Sequence, residues 1–126
     1  MNRQVIQTDK APQAIGPYSQ AIKTAKLVFA SGQLPINPET NELVDDIKAA
    51  TKQSLDNIKS ILESCGSSMD KILKTTIFLR DMNDFTAMNQ AYATYFPTNP
   101  PARSAIQVAR LPKDAVIEIE AIALVD

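Results

Sequence analysis

The sequence predicts an α+β domain, a mixed β-sheet with two helices packed on one of its faces. Three observations carry that reading. Two stretches with helical periodicity are separated by an extended apolar run, further extended runs stand at either end of the chain, and the last of them is apolar on both alternating faces. The 126 residues, 44% of them hydrophobic, suit a single domain over 1–126 that buries roughly two-thirds of its unfolded surface.

KLVFASGQ, from Lys26 to Gln33, is rich in β-branched and aromatic residues and is ended by Gly32, Pro35 and Pro38, so it reads as a strand and then a loop. RQVIQT, from Arg3 to Thr8, reads as its hairpin partner, with APQAIGPYSQAI as the long connection. Between Asp45 and Cys65 the apolar positions Ile47, Ala50, Leu55, Ile58, Ile61, Leu62 and Cys65 recur at helical spacing, with Asp45 or Asp46 placed to cap and Gly66 to terminate. ILKTTIFL, from Ile72 to Leu79, carries apolar residues on both faces, which places it in the middle of the sheet. Asp81 or Asn83 opens a second helix. Its Phe85, Met88, Tyr92, Tyr95 and Phe96 form one stripe, read as core, before Pro97 stops it.

The predicted order is strand, strand, helix, strand, helix, strand, strand. In the closing AVIEIEAIALV, Ile117, Ile119, Ala121, Ala123 and Val125 point one way, and Val116, Glu118, Glu120, Ile122 and Leu124 point the other. If the helices cover one face, a second subunit is expected on the other, because monomers rarely expose a large apolar sheet surface.

Composition narrows the chemistry. Thirteen basic and fourteen acidic residues give a net charge of -1, with no Lys or Arg run to follow phosphates, so nucleic acid is an unfavoured partner. No stretch has the length of a membrane span and the start, MNRQVIQTDK, is polar, which points to a cytoplasmic protein. Cys65 is the single cysteine and histidine is absent, which excludes an intramolecular disulfide, the usual zinc sites and His-activated nucleophiles. None of the three glycines belongs to a P-loop or a GxGxxG pattern.

ARLPKDAV separates the last two strands, and a tight turn at Pro112 pairing Arg110 with Ala115 would set Gln107 opposite Glu118, Ala105 opposite Glu120 and Arg103 opposite Ile122. Arg103, Gln107, Glu118 and Glu120 then share one face, although a one-residue slip would split them. One reading is an Arg103–Glu120 ion pair closing a sheet edge, with Glu118 solvated. The other is a small anion site, in which the guanidinium holds a carboxylate and a nearby Glu moves a proton.

GPYSQA at Gly16–Ala21, ASGQLPINPET at Ala30–Thr40 and PARSAIQVARLPKDAVIEIEAIA at Pro101–Ala123 together resemble the Rid/YjgF family of reactive-intermediate deaminases. The resemblance runs nearly end to end. It implies a chorismate-mutase-like fold assembled as a homotrimer, with an active site in each cleft between subunits and no cofactor. The implied reaction is hydrolysis of 2-imino acids, such as 2-iminopropanoate and 2-iminobutanoate, to 2-oxo acids and ammonia; the imines arise from enamines released by pyridoxal-phosphate-dependent dehydratases. Position by position, the substrate-carboxylate arginine falls on Arg103 and the water-orienting glutamate on Glu118, while Tyr18, Ser31 and Asn89 match pocket residues. The family's frequent cysteine after Arg-Ser is Ala105 here, so that position offers only its backbone. Asn41 stands where a glycine is common, and asparagine tolerates the left-handed conformation. Two other readings fit the fold: a non-catalytic trimer binding small 2-oxo acids or a partner protein, and an RNA-directed translation inhibitor or endoribonuclease, disfavoured by the charge balance and the missing histidine.

Overall fold

The structure, a computed structural model, describes residues 3–126. Helix α1 runs from Ile47 to Glu63 because Asp46 fixes its start, the carboxylate accepting the Ala49 N–H. Gly66, at φ +87°, turns the chain just beyond its end. Its inner face, Ala50, Leu55, Ile58, Ile61 and Leu62, is wholly buried, and each of the larger side chains contributes about 1.5–3 kcal/mol relative to exposure. Helix α2, Phe85–Ala93, follows a 3-10 turn at Met82–Asp84 in which the Asp81 carboxylate accepts the Asn83 N–H. Met88 and Tyr92 of its stripe are buried; Phe85, Tyr95 and Phe96 pack partly buried against the same core.

Six strands form one sheet: β1 (Gln4–Ile6), β2 (Ala21–Lys23), β3 (Leu27–Gln33), β4 (Ile72–Leu79), β5 (Ala102–Gln107) and β6 (Ile117–Leu124), in the order β1-β2-β3-β6-β4-β5. β4 lies between β6 and β5, inside the sheet as its two apolar faces predict.

Two expectations are corrected. The hairpin partner of β3 is β2, Ile22 opposite Phe29, and β1 pairs with β2 instead. β2 has three residues, too few to show alternation inside the long connection. The second correction moves the site. β5 does not pair with β6; it lies parallel to β4, the crossover between them being α2, and β6 pairs antiparallel with both β3 and β4. The expected Gln107–Glu118, Ala105–Glu120 and Arg103–Ile122 oppositions therefore do not exist. Gln107 stands beside Leu79, Ala105 beside Ile77 and Arg103 beside Thr75. The intervening loop is a 3-10 turn at Pro112–Asp114 with Lys113 and Asp114 at positive φ, and it carries the chain past the end of β4. Placing β4 centrally buries Ile77 and Leu79 and satisfies both of its backbone edges, which a β5–β6 hairpin would have left to β4 as an edge strand.

Side chains of registered partners share a face. Val28, Ala30, Ile77, Leu79, Ile117, Ile119, Ala121 and Ala123 form the buried face beneath the helices. On the open face the row Val5, Ile22, Phe29 and Ile122 runs across four strands in register, with Leu124 beyond it. Val5 is 55% exposed, Phe29 43% and Leu124 42%. Asn41 takes φ 63°, the left-handed conformation expected of an asparagine in a glycine's place.

Candidate active site

Two pockets hold the expected residues, one on each face of the sheet. The first, about 630 Å³, opens on the uncovered face and is lined by Tyr18, Ser31, Gly32, Glu118 and Glu120, with Ile15 at its rim. The β3–β6 pairing is interrupted between Ala30 and Gln33, so Ser31 and Gly32 sit in a bulge. That irregularity lets Ser31 turn to the preceding loop: its N–H donates to the Gln20 carbonyl at 2.9 Å and its hydroxyl to the Ser19 carbonyl at 2.6 Å. The loop carrying Tyr18 is thereby tied to β3. Gln20, 3% exposed, secures the rest of it, accepting from the Thr8 N–H at 2.7 Å and donating to the Pro12 carbonyl at 2.8 Å. Asn57 of α1, buried behind the pocket, donates to the carbonyls of its lining residues Leu34 and Ile36 and so fixes the segment after β3.

Glu118 lies over Gly32. A β-carbon at residue 32 would stand 2.8 Å from Glu118 Cδ and closer still to Oε2, so only glycine leaves the carboxylate where it is. Burial pushes the Glu118 carboxyl above the ordinary glutamate range, and the Glu120 charge two residues along β6 adds to the effect. Glu118 is thus suited to receive a proton and to return it.

The second pocket, about 370 Å³, lies at the β5 edge on the helix side and is lined by Arg103, Asn89, Tyr92, Phe96, Pro100 and Pro101. Arg103 Nη1 donates to Asn89 Oδ1 at 2.7 Å, and its Cζ stands 5.0 Å from the Tyr92 ring centroid and 5.6 Å from that of Phe85. Tyr92 Oη and Thr75 Oγ1 are hydrogen-bonded at 2.8 Å in the core. Among the described residues no carboxylate pairs with Arg103, so the Arg103–Glu120 ion pair does not form. A half-buried guanidinium with neutral partners retains N–H groups and charge for an external anion.

The structure therefore groups Tyr18, Ser31 and Glu118 in one pocket and Arg103 with Asn89 in another, and β4 separates them: Arg103 shares a face with Thr75 and Ala121, Glu118 with Phe78 and Ile106. Ala105 joins neither pocket; it is half-buried, beside Ile77. Cys65 is buried in the core, and burial pushes its thiol up, away from nucleophile chemistry. Residue reasoning missed the Gly32–Glu118 approach and the Gln20 staple. A glycine inside a strand was the available signal for the first; a buried glutamine in a loop left none. Among the described residues no cluster of His, Cys, Asp or Glu could hold a metal ion, and no helix is long and apolar enough to cross a membrane.

A six-stranded sheet in this order, with two helices on one face and polar residues gathered at a bulge and at an edge, defines an α+β class with many solved members. The family model described as Endoribonuclease L-PSP matches residues 8–125. A RutC family protein of Pyrococcus abyssi is 54% identical over 124 residues, 98% of each chain. The 2-iminobutanoate/2-iminopropanoate deaminase of Escherichia coli K12 is 48% identical over 122 residues, 94% of this chain and 95% of that one. Of solved structures, the Rid family protein YyfA of Yersinia pestis superposes with TM-score 0.94 at 51% identity over 98% of this chain and 99% of its own. TdcF of E. coli with bound serine does so with TM-score 0.94 at 44% identity, again over 98% and 99%. The chain belongs to the Rid/YjgF family.

Proposed function

We propose that this chain is a cofactor-independent 2-iminobutanoate/2-iminopropanoate deaminase, one domain over 1–126 that works in the cytoplasm as a chorismate-mutase-like homotrimer. The carrying observation is Arg103, a half-buried guanidinium with no carboxylate partner among the described residues. The relative named as a deaminase, 48% identical, supports the choice of reaction.

In this reading Arg103 grips the carboxylate of R–C(=NH2+)–COO− bidentately, Asn89 and Tyr18 hold and bound the substrate, and Ser31 keeps the Tyr18 loop in place. Water held by Glu118 adds to C2 as the C=N electron pair moves to nitrogen, and Glu118 takes the proton the water loses. Protonating the nitrogen then lets ammonia leave as the C–O bond becomes C=O, so that iminium and water give R–CO–COO− and ammonium. Ala105 supplies only main-chain groups, since no covalent intermediate is needed.

Arg103 and Glu118 lie on opposite faces of one sheet, so they meet on one substrate only if they come from two copies. The open face, with Ile15 and Tyr18 exposed at the Glu118 pocket and Phe29 and Leu124 exposed farther along the same sheet face, is the surface a neighbouring copy would cover.

Incubation with a serine or threonine dehydratase that releases the enamine in situ tests the activity. Wild type is expected to speed 2-oxo acid formation beyond the spontaneous rate, and Arg103→Ala to abolish the gain. No acceleration with either imino acid would leave a trimer that binds 2-oxo acids without turning them over.

A further inference from the structure

We propose that Tyr92 is a positioning residue whose ring face, braced by Thr75, holds the Arg103 guanidinium flat and aimed for a carboxylate. The inference rests on the deaminase reading for the identity of the anion, but not for the existence of the platform.

Arginine has a long side chain with several rotatable bonds, and holding it still is costly in entropy. A salt bridge is the usual means, but an internal carboxylate would neutralise the charge that must receive the substrate. Here, among the described residues, the polar and aromatic partners of Arg103 are neutral. Asn89 Oδ1 accepts one of its N–H groups, and its Cζ lies over the aromatic faces of Tyr92 and Phe85. A ring face attracts a cation through its quadrupole and leaves the in-plane N–H groups free.

Of the two rings, Tyr92 has the stronger claim. It is nearer, 5.0 Å against 5.6 Å, and is only 5% exposed. It is also held at its far end by the hydrogen bond to Thr75 Oγ1, and Thr75 is the residue on β4 in register with Arg103 on β5. A closed circuit results: Arg103 and Thr75 are fixed to each other by strand pairing, Thr75 fixes the Tyr92 hydroxyl, and the Tyr92 ring returns over the guanidinium. Asn89, one helical turn before Tyr92 on the same face of α2, sets the remaining direction. A tyrosine serving the core alone would satisfy its hydroxyl in the same way, but its loss would change stability and leave Arg103 unaffected.

The experiment compares wild type, Tyr92→Phe, Tyr92→Leu and Thr75→Val. It reads the 15N relaxation of the Arg103 Nε–H group, KM and kcat with an imino acid generated in situ, and calorimetric Kd for 2-oxobutanoate. Tyr92→Leu is expected to free the Arg103 side chain and to raise KM and Kd roughly 3- to 30-fold, with a smaller change in kcat. Tyr92→Phe, which keeps the ring face, should recover most of that loss, and Thr75→Val should fall between. A rigid Arg103 with unchanged KM in Tyr92→Leu overturns the proposal, as does a Phe variant as impaired as the Leu variant. Should Tyr92→Leu not fold, mono- and trifluorinated phenylalanines at 92 drain the ring face at nearly constant shape; a stepwise gain in Arg103 mobility supports the platform and a flat series rejects it. If wild type neither turns over imino acids nor binds the oxo acid, the deaminase reading fails, and Arg103 mobility alone still decides the role of Tyr92.

Discussion

The same strands present two faces that were finished differently. Beneath the helices, Ile77, Leu79, Ile117 and Ile119 are wholly buried, and a charged side chain at the β5 margin, Arg103, is met by an amide and two aromatic rings. On the other side Phe29 and Leu124 remain exposed, and farther along the same face Glu118 lies over a glycine, its carboxyl pushed up by burial with Glu120 adding to it. One face is closed around a cation and the other is open around an acid, and among the described residues neither is in a salt bridge. In the proposed function each is half of a carboxylate-binding, proton-moving site, and the sheet that carries both keeps them apart within one copy.

Glu118→Gln breaks the open half and should have the largest effect. General acid–base catalysis is worth on the order of 10² to 10⁴ in rate, so kcat is expected to fall in that range while Kd for a 2-oxo acid changes little. Stability should move the other way. The folded protein holds the Glu118 pKa above its unfolded value, so ionising it weakens the fold as pH rises through that window. The Gln variant should therefore melt higher than wild type at neutral pH, with the gain vanishing below the ordinary glutamate range. Mixing Glu118→Gln with Arg103→Ala sharpens the comparison: if each site draws one half from each of two copies, random reassembly restores about a quarter of the sites. Recovery of no activity after verified subunit exchange would place both halves in one copy.

Arg103→Lys attacks the closed half with the charge retained. An ammonium cannot offer two parallel donors to a carboxylate, and the loss of one charge-assisted hydrogen bond costs roughly 1.5–3 kcal/mol, about one to two decades in kcat/KM. Wild-type kcat/KM in a folded Lys variant would return Arg103 to a structural role. Gly32→Ala tests the placement of Glu118 without touching its chemistry. The new β-carbon meets the flexible end of Glu118, which can swing aside, so the melting temperature should hold while kcat drops by up to about 10², the cost of displacing a reacting group by about 1 Å.

How far these halves were legible depends on whether the signal was local. α1 was readable because a capping aspartate, seven spaced apolar residues and a terminal glycine agree, and β4 because its two apolar faces suit only the interior of a sheet. β2 was not, being three residues long, and neither was the placement of β5, because a short loop such as ARLPKDAV can either close a hairpin or step past a neighbouring strand. Which it does is decided by what α2 and β4 bury, and no local pattern records that. Arg103 and Glu118 were thus singled out by type and by resemblance, while the register that first joined them put them on one face when they belong to two. Tyr92 was read as core, which its burial bears out, and its position against Arg103 needed the crossover to be known.

The smallest expected effect is the most specific. Glu120 follows Glu118 by two residues on β6, so both point to the open face, and its negative charge disfavours ionising Glu118. Turnover that needs Glu118 as a carboxylate rises with pH through its pKa, which puts the acid limb of the wild-type kcat profile above the ordinary glutamate range. Glu120→Gln removes the like charge and leaves the burial, so the limb should move to lower pH without reaching that of a solvated glutamate, and the plateau should be kept. Salt separates the two causes further. Glu120 is exposed, and its influence is screened at high ionic strength, whereas desolvation is not. The wild-type limb should therefore approach the variant's as salt is added, and the variant's should stay where it is. A limb that neither the substitution nor salt moves would belong to another group, and Glu118 would lose its claim to the proton.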